Sequence, residues 1–496
     1  MPHPTIASVI VLGGGSAGLI AALTLKRRLP QLAVRVIRSP EIGIIGVGEG
    51  TTVNFGHHFF KYLGFNPRQF YAEAEPTWKL GIRFLWGPEP DFFYTFAFEH
   101  DRRYDELTRT TAFYQTSGVR WLGRTSAHMA HDKAFPRRAD KLPDFSTPHG
   151  FHIENIKLVK WLENTCRTVG VTITEGTMRE AQRAGNAIAS LSLEDGEQVS
   201  ADLFVDASGF RSELLGRTLE EPYVGFDSAL FCDRAVIGGW PRTDEPIRPY
   251  TTAETMDAGW CWQIEHEHWI NRGYVYSSRF ISDDDARAEL LAKNPQIANE
   301  PRLVKFRAGR RVRSWVGNVV GIGNAAGFVE PLEATALHIV CDQSRAVADC
   351  LRDGLQAPSA TAIRYYNELN GRWWDQTRDF LAVHYTFNTR LDTPFWQACR
   401  TQTDLGGAAA LIEYYRDNGP SVLAAPLLLH PSNSFQMDGY LALLCGQRVP
   451  HARPYEPTAQ EQKFWRERDA ALVQDAAVAY SVKGALEAIR RPTWKW

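Results

Sequence analysis

The sequence predicts an α/β protein that opens on a Rossmann-like strand–turn–helix unit and becomes mostly helical towards its C-terminus. Three observations predict it. A short apolar, β-branched run, Ile6 to Leu12, ends at Gly13 and leads through a glycine cluster into a helix-forming segment. Two later apolar strands also lead into glycines, in the segments Leu203–Gly209 and Val319–Gly323. From Glu330 onward the apolar pattern becomes mostly helical.

Each element follows from its own residues. Ile6–Leu12 has the composition of a strand buried on both faces. Leu19 to Arg28 reads as a helix stopped by Pro30, and Val34 to Ile37 as the next strand, which completes a βαβ unit of the expected length. The runs at Leu203 and Val319 belong in or beside the same sheet, so the nucleotide-binding domain is expected to be discontinuous. His338–Arg352 and Ala360–Tyr385 read as helices. Ala459–Arg490 reads as a long terminal helix with breaks, with Thr458 as its N-cap just after Pro457.

Composition narrows the function. The chain has 496 residues, with 55 Lys plus Arg against 57 Asp plus Glu and a net charge of −2, so it has no electrostatic drive towards nucleic acid or an anionic membrane. With 44% hydrophobic and 23% charged residues it is ordinary globular material. Seven cysteines without a C-x-x-C pair give neither a disulfide framework nor a metal site. No basic region precedes the first apolar run, and the expectation is a cytoplasmic protein. Ile6–Leu25 is uncharged, but the three glycines in its middle suit a strand, turn and helix rather than a membrane span.

Gly13-Gly14-Gly15-Ser16-Ala17-Gly18 satisfies G-x-G-x-x-G between a strand and a helix. Gly13 permits the tight turn, Gly15 lets backbone approach a pyrophosphate, and Gly18 allows close helix–strand packing. The N–H groups at Ser16 and Ala17 face the phosphates from the helix start. The same residues satisfy G-x-S-x-G, but a nucleophile elbow follows several strands and does not open a chain, so Ser16 is read as a phosphate-loop residue. The acidic residue expected about 20 positions on is replaced by Arg38-Ser39-Pro40-Glu41, where Arg38 could meet a phosphate or adenine, or Glu41 the ribose. No second such loop follows a strand elsewhere, which suggests electrons supplied from outside. Four arginines, Arg307, Arg310, Arg311 and Arg313, read as a structural or solvated face.

Several segments together resemble the flavin-dependent halogenases, in the tryptophan-halogenase-like branch. They are Gly13–Gly18, Gly46-Val47-Gly48-Glu49-Gly50-Thr51-Thr52, Trp78-Lys79-Leu80-Gly81, Trp260-Cys261-Trp262-Gln263-Ile264, and Gly323 to Thr335. Arg378–Leu381 and Thr393–Trp396 extend the likeness into the helical part.

The resemblance implies an FAD-binding Rossmann-like domain of the glutathione-reductase/hydroxylase type with a substrate-facing sheet. Its division would be residues 1–390, discontinuous and flavin-binding, and 391–496, helical and covering the substrate. It implies FADH2 supplied by a separate flavin reductase, a halide co-substrate, and chlorination or bromination of an electron-rich, indole-type small molecule. The route would run through a flavin hydroperoxide and hypohalous acid to an active-site lysine. A homodimer is a further family expectation. By the same resemblance Lys79 carries the electrophilic halogen and Glu333 is its acidic partner. Gly13, Gly15, Ser16, Ala17, Gly18, Ser39, Val47, Glu49, Asn324 and Leu332 hold the cofactor. Thr335 and Ala336 hold halide, while Trp260 and Trp262 shield the flavin from substrate. No residue is assigned to a metal.

The chain departs from the family pattern at three places. Glu265 stands where the tryptophan motif has a proline, and it leads into His266-Glu267-His268, read as a solvated strand end. Ala334 replaces a serine after Glu333. The Tyr-Tyr pair that grips free tryptophan is absent near Tyr440, with Tyr414-Tyr415 a stand-in at the wrong place. A single-component FAD-dependent aromatic hydroxylase is the alternative reading, and a flavin-binding protein without turnover a third.

Overall fold

The computed structural model describes residues 5–41, 43, 48–99, 122–421 and 424–496. It divides into two units, each assembled from three stretches of chain. The first comprises 1–76, 153–227 and 306–375, and the second 77–152, 228–305 and 376–496.

The first unit is built on a six-stranded sheet in the order Trp315–Val316, Val319–Gly321, Leu203–Asp206, Ser8–Leu12, Ala33–Arg38, Thr172–Glu175. All neighbours are parallel except the hairpin at its edge. The runs at Leu203 and Val319 therefore do join the opening strand in one sheet. Val9, Ile10, Val11 and Leu12 are all buried, because both faces of the parallel sheet are covered. The uncharged stretch beginning at Ile6 resolves into strand, glycine turn and the helix Ser16–Arg28. No helix among the described residues is long and apolar enough to cross a membrane. A meander of Met178–Ala184, Ala187–Leu193 and Gln198–Val199 packs its apolar side onto Ile10, Leu12 and Ile37.

The second unit holds a seven-stranded sheet, ordered Arg302–Lys305, Arg234–Pro241, Trp269–Tyr276, Gly259–Glu265, Thr251–Met256, Gly81–Leu85, Phe92–Thr95. It is antiparallel apart from the pairing of Thr251–Met256 with Gly81–Leu85. Residues 391–496 fall in this unit and are mostly helical. The terminal segment breaks into Ala459–Val478 and Val482–Ile489. Tyr480 leaves the helix between them to pair its backbone with Phe135, and Ser481 caps the second helix. Thr458 caps the first in a reciprocal box with Glu461.

None of the seven cysteines forms a disulfide. The arginine run is a structural face within the first unit: Arg310 pairs with Asp375 at 2.7 Å, Arg313 with Glu221 at 2.7 Å, and Arg311 donates to the Glu221 carbonyl at 2.8 Å.

Candidate active site

In the first unit the chain leaves the C-terminal ends of Ser8–Leu12, Ala33–Arg38, Leu203–Asp206 and Val319–Gly321 in four neighbouring loops, the place where open α/β sheets bind ligands. Gly13 has φ +121°, and a Cβ there would lie 2.3 Å from the Ala207 carbonyl oxygen. A Cβ on Gly18 would lie 2.0 Å from the Gly13 oxygen, so the helix start is pressed onto the loop. Gly15 is the opposite case: it is exposed, with no atom within 4 Å of its Cβ position. That open side, with no acidic residue in the first helical turn, fits a pyrophosphate. Ser16 donates its hydroxyl proton to Asn155 Oδ1 at 2.7 Å, which leaves its backbone N–H for a phosphate. Ala17 is partly exposed and touches the second loop: a Cβ on Gly323 would lie 2.9 Å from the Ala17 Cβ. Asn324 follows in the turn Gly323–Ala325, itself held by Gln343, which accepts the Gly323 N–H at 2.8 Å.

The Arg38 stem covers Gly14, and its guanidinium pairs with Glu163 and, at 2.8 Å, with Glu175. Glu41 is exposed, its N–H donating to Ser39 Oγ at 3.3 Å. The Ser39 and Thr177 hydroxyls share a hydrogen bond of 2.8 Å. Val47 lies outside the described residues. Glu49 is enclosed by protein with a partly open face, and burial pushes its carboxyl up to about 7.

Leu332 and Glu333 are buried in the turn Pro331–Glu333. Ala334 reverses the chain at φ +55°, an unusual left-handed conformation for a non-glycine residue. Thr335 then occupies the N-cap of the helix Ala336–Asp353 without capping it. Its hydroxyl is buried with no hydrogen-bond partner among the described residues. With no acidic side chain in the first turn, this helix start is electropositive.

In the second unit, Lys79 ends the strand Thr77–Lys79 and is 1% exposed. Its Nζ stands 5.5 Å from the centroid of the Phe96 ring. Gly150 is directly opposite on the paired strand and His152 is opposite Thr77, so Gly150 leaves room beside the lysine. His152 is fully buried and bonded through Nε2 to Thr251 Oγ1 at 2.8 Å. Burial first, then the charges of Lys79 and His266, hold its pKa well below the usual histidine range, so it is neutral.

Trp260 and Trp262 share one face of Gly259–Glu265, their rings 6.0 Å apart, and both are buried. Trp262 lies across Gly273, the residue opposite it, where a Cβ would meet the indole at 1.9 Å. Glu265, the substituted proline position, is buried and paired with Arg242 at 2.5 Å. The histidines after it are not one solvated strand end: the strand stops at Glu265, His266 is buried, and only His268 is exposed.

Sequence reasoning missed Asn155, Glu163 and Glu175, which are far away along the chain and carried no local signal. It also missed a ring of side chains, Thr52, Asn54, His338 and Asp342, although the i,i+4 spacing of the last two was visible.

Comparison with known proteins agrees with this architecture. The family model described as tryptophan halogenase matches residues 8–463. The tryptophan 7-halogenase KtzQ of Kutzneria sp. (strain 744) is 32% identical over 450 residues, covering 85% of this chain and 83% of its own. The crystal structure of MibH, a lanthipeptide tryptophan 5-halogenase, superposes with a TM-score of 0.87 at 34% identity, covering 98% of this chain and 93% of that one. The tryptophan 6-halogenase SttH of Streptomyces toxytricini gives 0.86 at 26% identity, covering 98% and 100%.

Proposed function

The chain belongs to the tryptophan halogenase family and is a flavin-dependent halogenase, and from that premise we propose that it chlorinates or brominates an indole-type aromatic through Lys79. The family uses FADH2, O2 and halide. Gly13, Gly15, Ser16, Ala17, Gly18, Ser39, Val47, Glu49, Asn324 and Leu332 would hold FAD. When bound and reduced, the flavin with oxygen supplies the oxidation that turns halide into hypohalous acid. A separate reductase would supply it reduced. Halide enters at the backbone N–H groups of Thr335 and Ala336, which an electropositive helix start without carboxylates supports.

The observation that carries the reading is the burial of Lys79, 1% exposed at the end of a strand beside an aromatic ring and a neutral histidine. Withdrawing an ammonium from water costs several kcal/mol, a poor position for a solvating lysine and a good one for aiming a small electrophile. In its ammonium form Lys79 hydrogen-bonds hypohalous acid and polarises the oxygen–halogen bond. In its neutral form the amine takes the halogen and releases water. The ring carbon then attacks the halogen, and the arenium proton passes to the Glu333 carboxylate. Trp260 and Trp262 keep the aromatic from the flavin, and residues 391–496 cover it. A substrate larger than free tryptophan is supported by the absent Tyr-Tyr pair and by the likeness to MibH, a lanthipeptide tryptophan 5-halogenase.

The test incubates indole, tryptophan and a tryptophan-containing peptide with bromide, oxygen, FAD, a generic flavin reductase and catalase, followed by mass spectrometry. Wild type is expected to give brominated product, and Lys79→Ala to fall at least a hundredfold. Product from both proteins would mean diffusible hypobromite and would overturn the lysine assignment. Hydroxylated product would overturn halogenation.

A further inference from the structure

The four side chains that the sequence did not connect form a closed ring of hydrogen bonds within the first unit. Asn54 N–H donates to Thr52 Oγ1 at 3.4 Å. The Thr52 hydroxyl is also hydrogen-bonded to His338 Nδ1, 2.8 Å away. His338 Nε2 faces Asp342 Oδ2 at 3.2 Å. Asp342 Oδ1 accepts from Asn54 Nδ2 at 2.9 Å, and the same amide reaches the His338 carbonyl at 3.3 Å. Asn54 donates at both of its links in the ring and Asp342 accepts at both of its oxygens, so the bonds run out from the amide and meet at the carboxylate. Burial alone would raise the Asp342 carboxyl, but the bonds from His338 and Asn54 and the nearby Arg345 hold it below the usual carboxylate range. It stays an acceptor.

The two ends of the ring lie at different places in the proposed site. Thr52 caps the short helix Val53–Gly56 directly after the strand Gly48–Gly50, which carries Glu49. His338 is the third residue of the helix Ala336–Asp353, two positions after Ala336. A connected ring of hydrogen bonds fixes the distance between these elements more firmly than apolar packing would.

We propose that Thr52, Asn54, His338 and Asp342 are positioning residues that couple flavin binding at the Gly48–Thr52 loop to halide binding at the start of the Ala336–Asp353 helix. The proposal rests on the reading of those two segments as flavin and halide contacts. Ordering the loop around flavin sets the first turn of the helix, and a halide on that turn holds the loop in return. Because linkage is reciprocal, each ligand then raises the affinity for the other by the same factor.

The experiment measures the Kd of oxidised FAD by fluorescence quenching, with and without saturating chloride, at constant ionic strength maintained with gluconate. Wild type is expected to bind FAD about fivefold more tightly with chloride, the lower end of ordinary coupling. Thr52→Val and His338→Leu should reduce that ratio to about one, and Thr52→Ser should keep it. A purely structural ring would weaken FAD binding equally with and without chloride, leaving the ratio at its wild-type value, and that result overturns the proposal. So does a wild-type ratio of one. Ala336→Asp separates the two readings: it suits a helix start but repels an anion. If it leaves the chloride KM of halogenation unchanged, the halide assignment fails. If it raises that KM tenfold or more while the ring variants keep the coupling, the ring proposal alone fails.

Discussion

Glu49 shows what one enclosed carboxyl does to the pH behaviour of the protein. Its carboxyl is pushed up to about 7 from 4.5 because burial disfavours the charged form. For an acid whose folded pKa is raised, the folded state binds the proton more tightly than the unfolded one. Stability is therefore highest below pH 4.5, falls as pH rises through about 7, and is level beyond it. The full shift corresponds to roughly 3–4 kcal/mol, reduced by the open face of the residue. Glu49→Gln keeps the shape and removes the charge, so without flavin it should melt higher than wild type at pH 8 and no higher at pH 4. Thermal denaturation at both values checks this, and equal differences at both would refute the assignment. Arg38 teaches the opposite lesson at this scale. Its place after the second strand suggested a ligand contact, yet Glu163 and Glu175 hold its guanidinium.

Elements here are fixed by what lies across from them. The strand Gly259–Glu265 carries Trp262 flat over the neighbouring strand only because Gly273 has no side chain. Gly273→Ala must push the indole aside, and overpacking of this kind costs about 1–3 kcal/mol. The variant should lower the unfolding midpoint, and the double variant with Trp262→Leu should recover most of that loss. Strictly additive effects in denaturant titrations would show that the two residues do not meet. The spacing of Trp260 and Trp262 was legible from the strand period of two. The glycine that accommodates the second of them was not, because register between strands is set by the whole sheet.

At the scale of the molecule, the described residues contain one glycine-loop βαβ unit, in a sheet assembled from three separated stretches of chain. A chain that takes its flavin already reduced should consume no NADH or NADPH on its own. The expected outcome is no nicotinamide oxidation by the protein with FAD, substrate and halide, and product formation once a flavin reductase is added. Substrate-dependent NAD(P)H oxidation without the reductase would mean that the chain reduces its own flavin.

Elements and motifs whose causes are local were legible in the residues alone. The opening strand and helix follow from apolar period and glycine position, the Thr458 cap from its spacing to Glu461, and the discontinuous sheet from repeated strand-to-glycine endings. The family was also legible, because its motifs are short and contiguous. Pairings made across long separations emerged only once the chain was folded. Arg242 beneath Glu265, Asn155 on Ser16, Gly150 opposite Lys79 and the ring that joins Thr52 to His338 are of this kind. A buried polar group must find a partner wherever the fold supplies one, and the chain carries no local mark of which residue that will be.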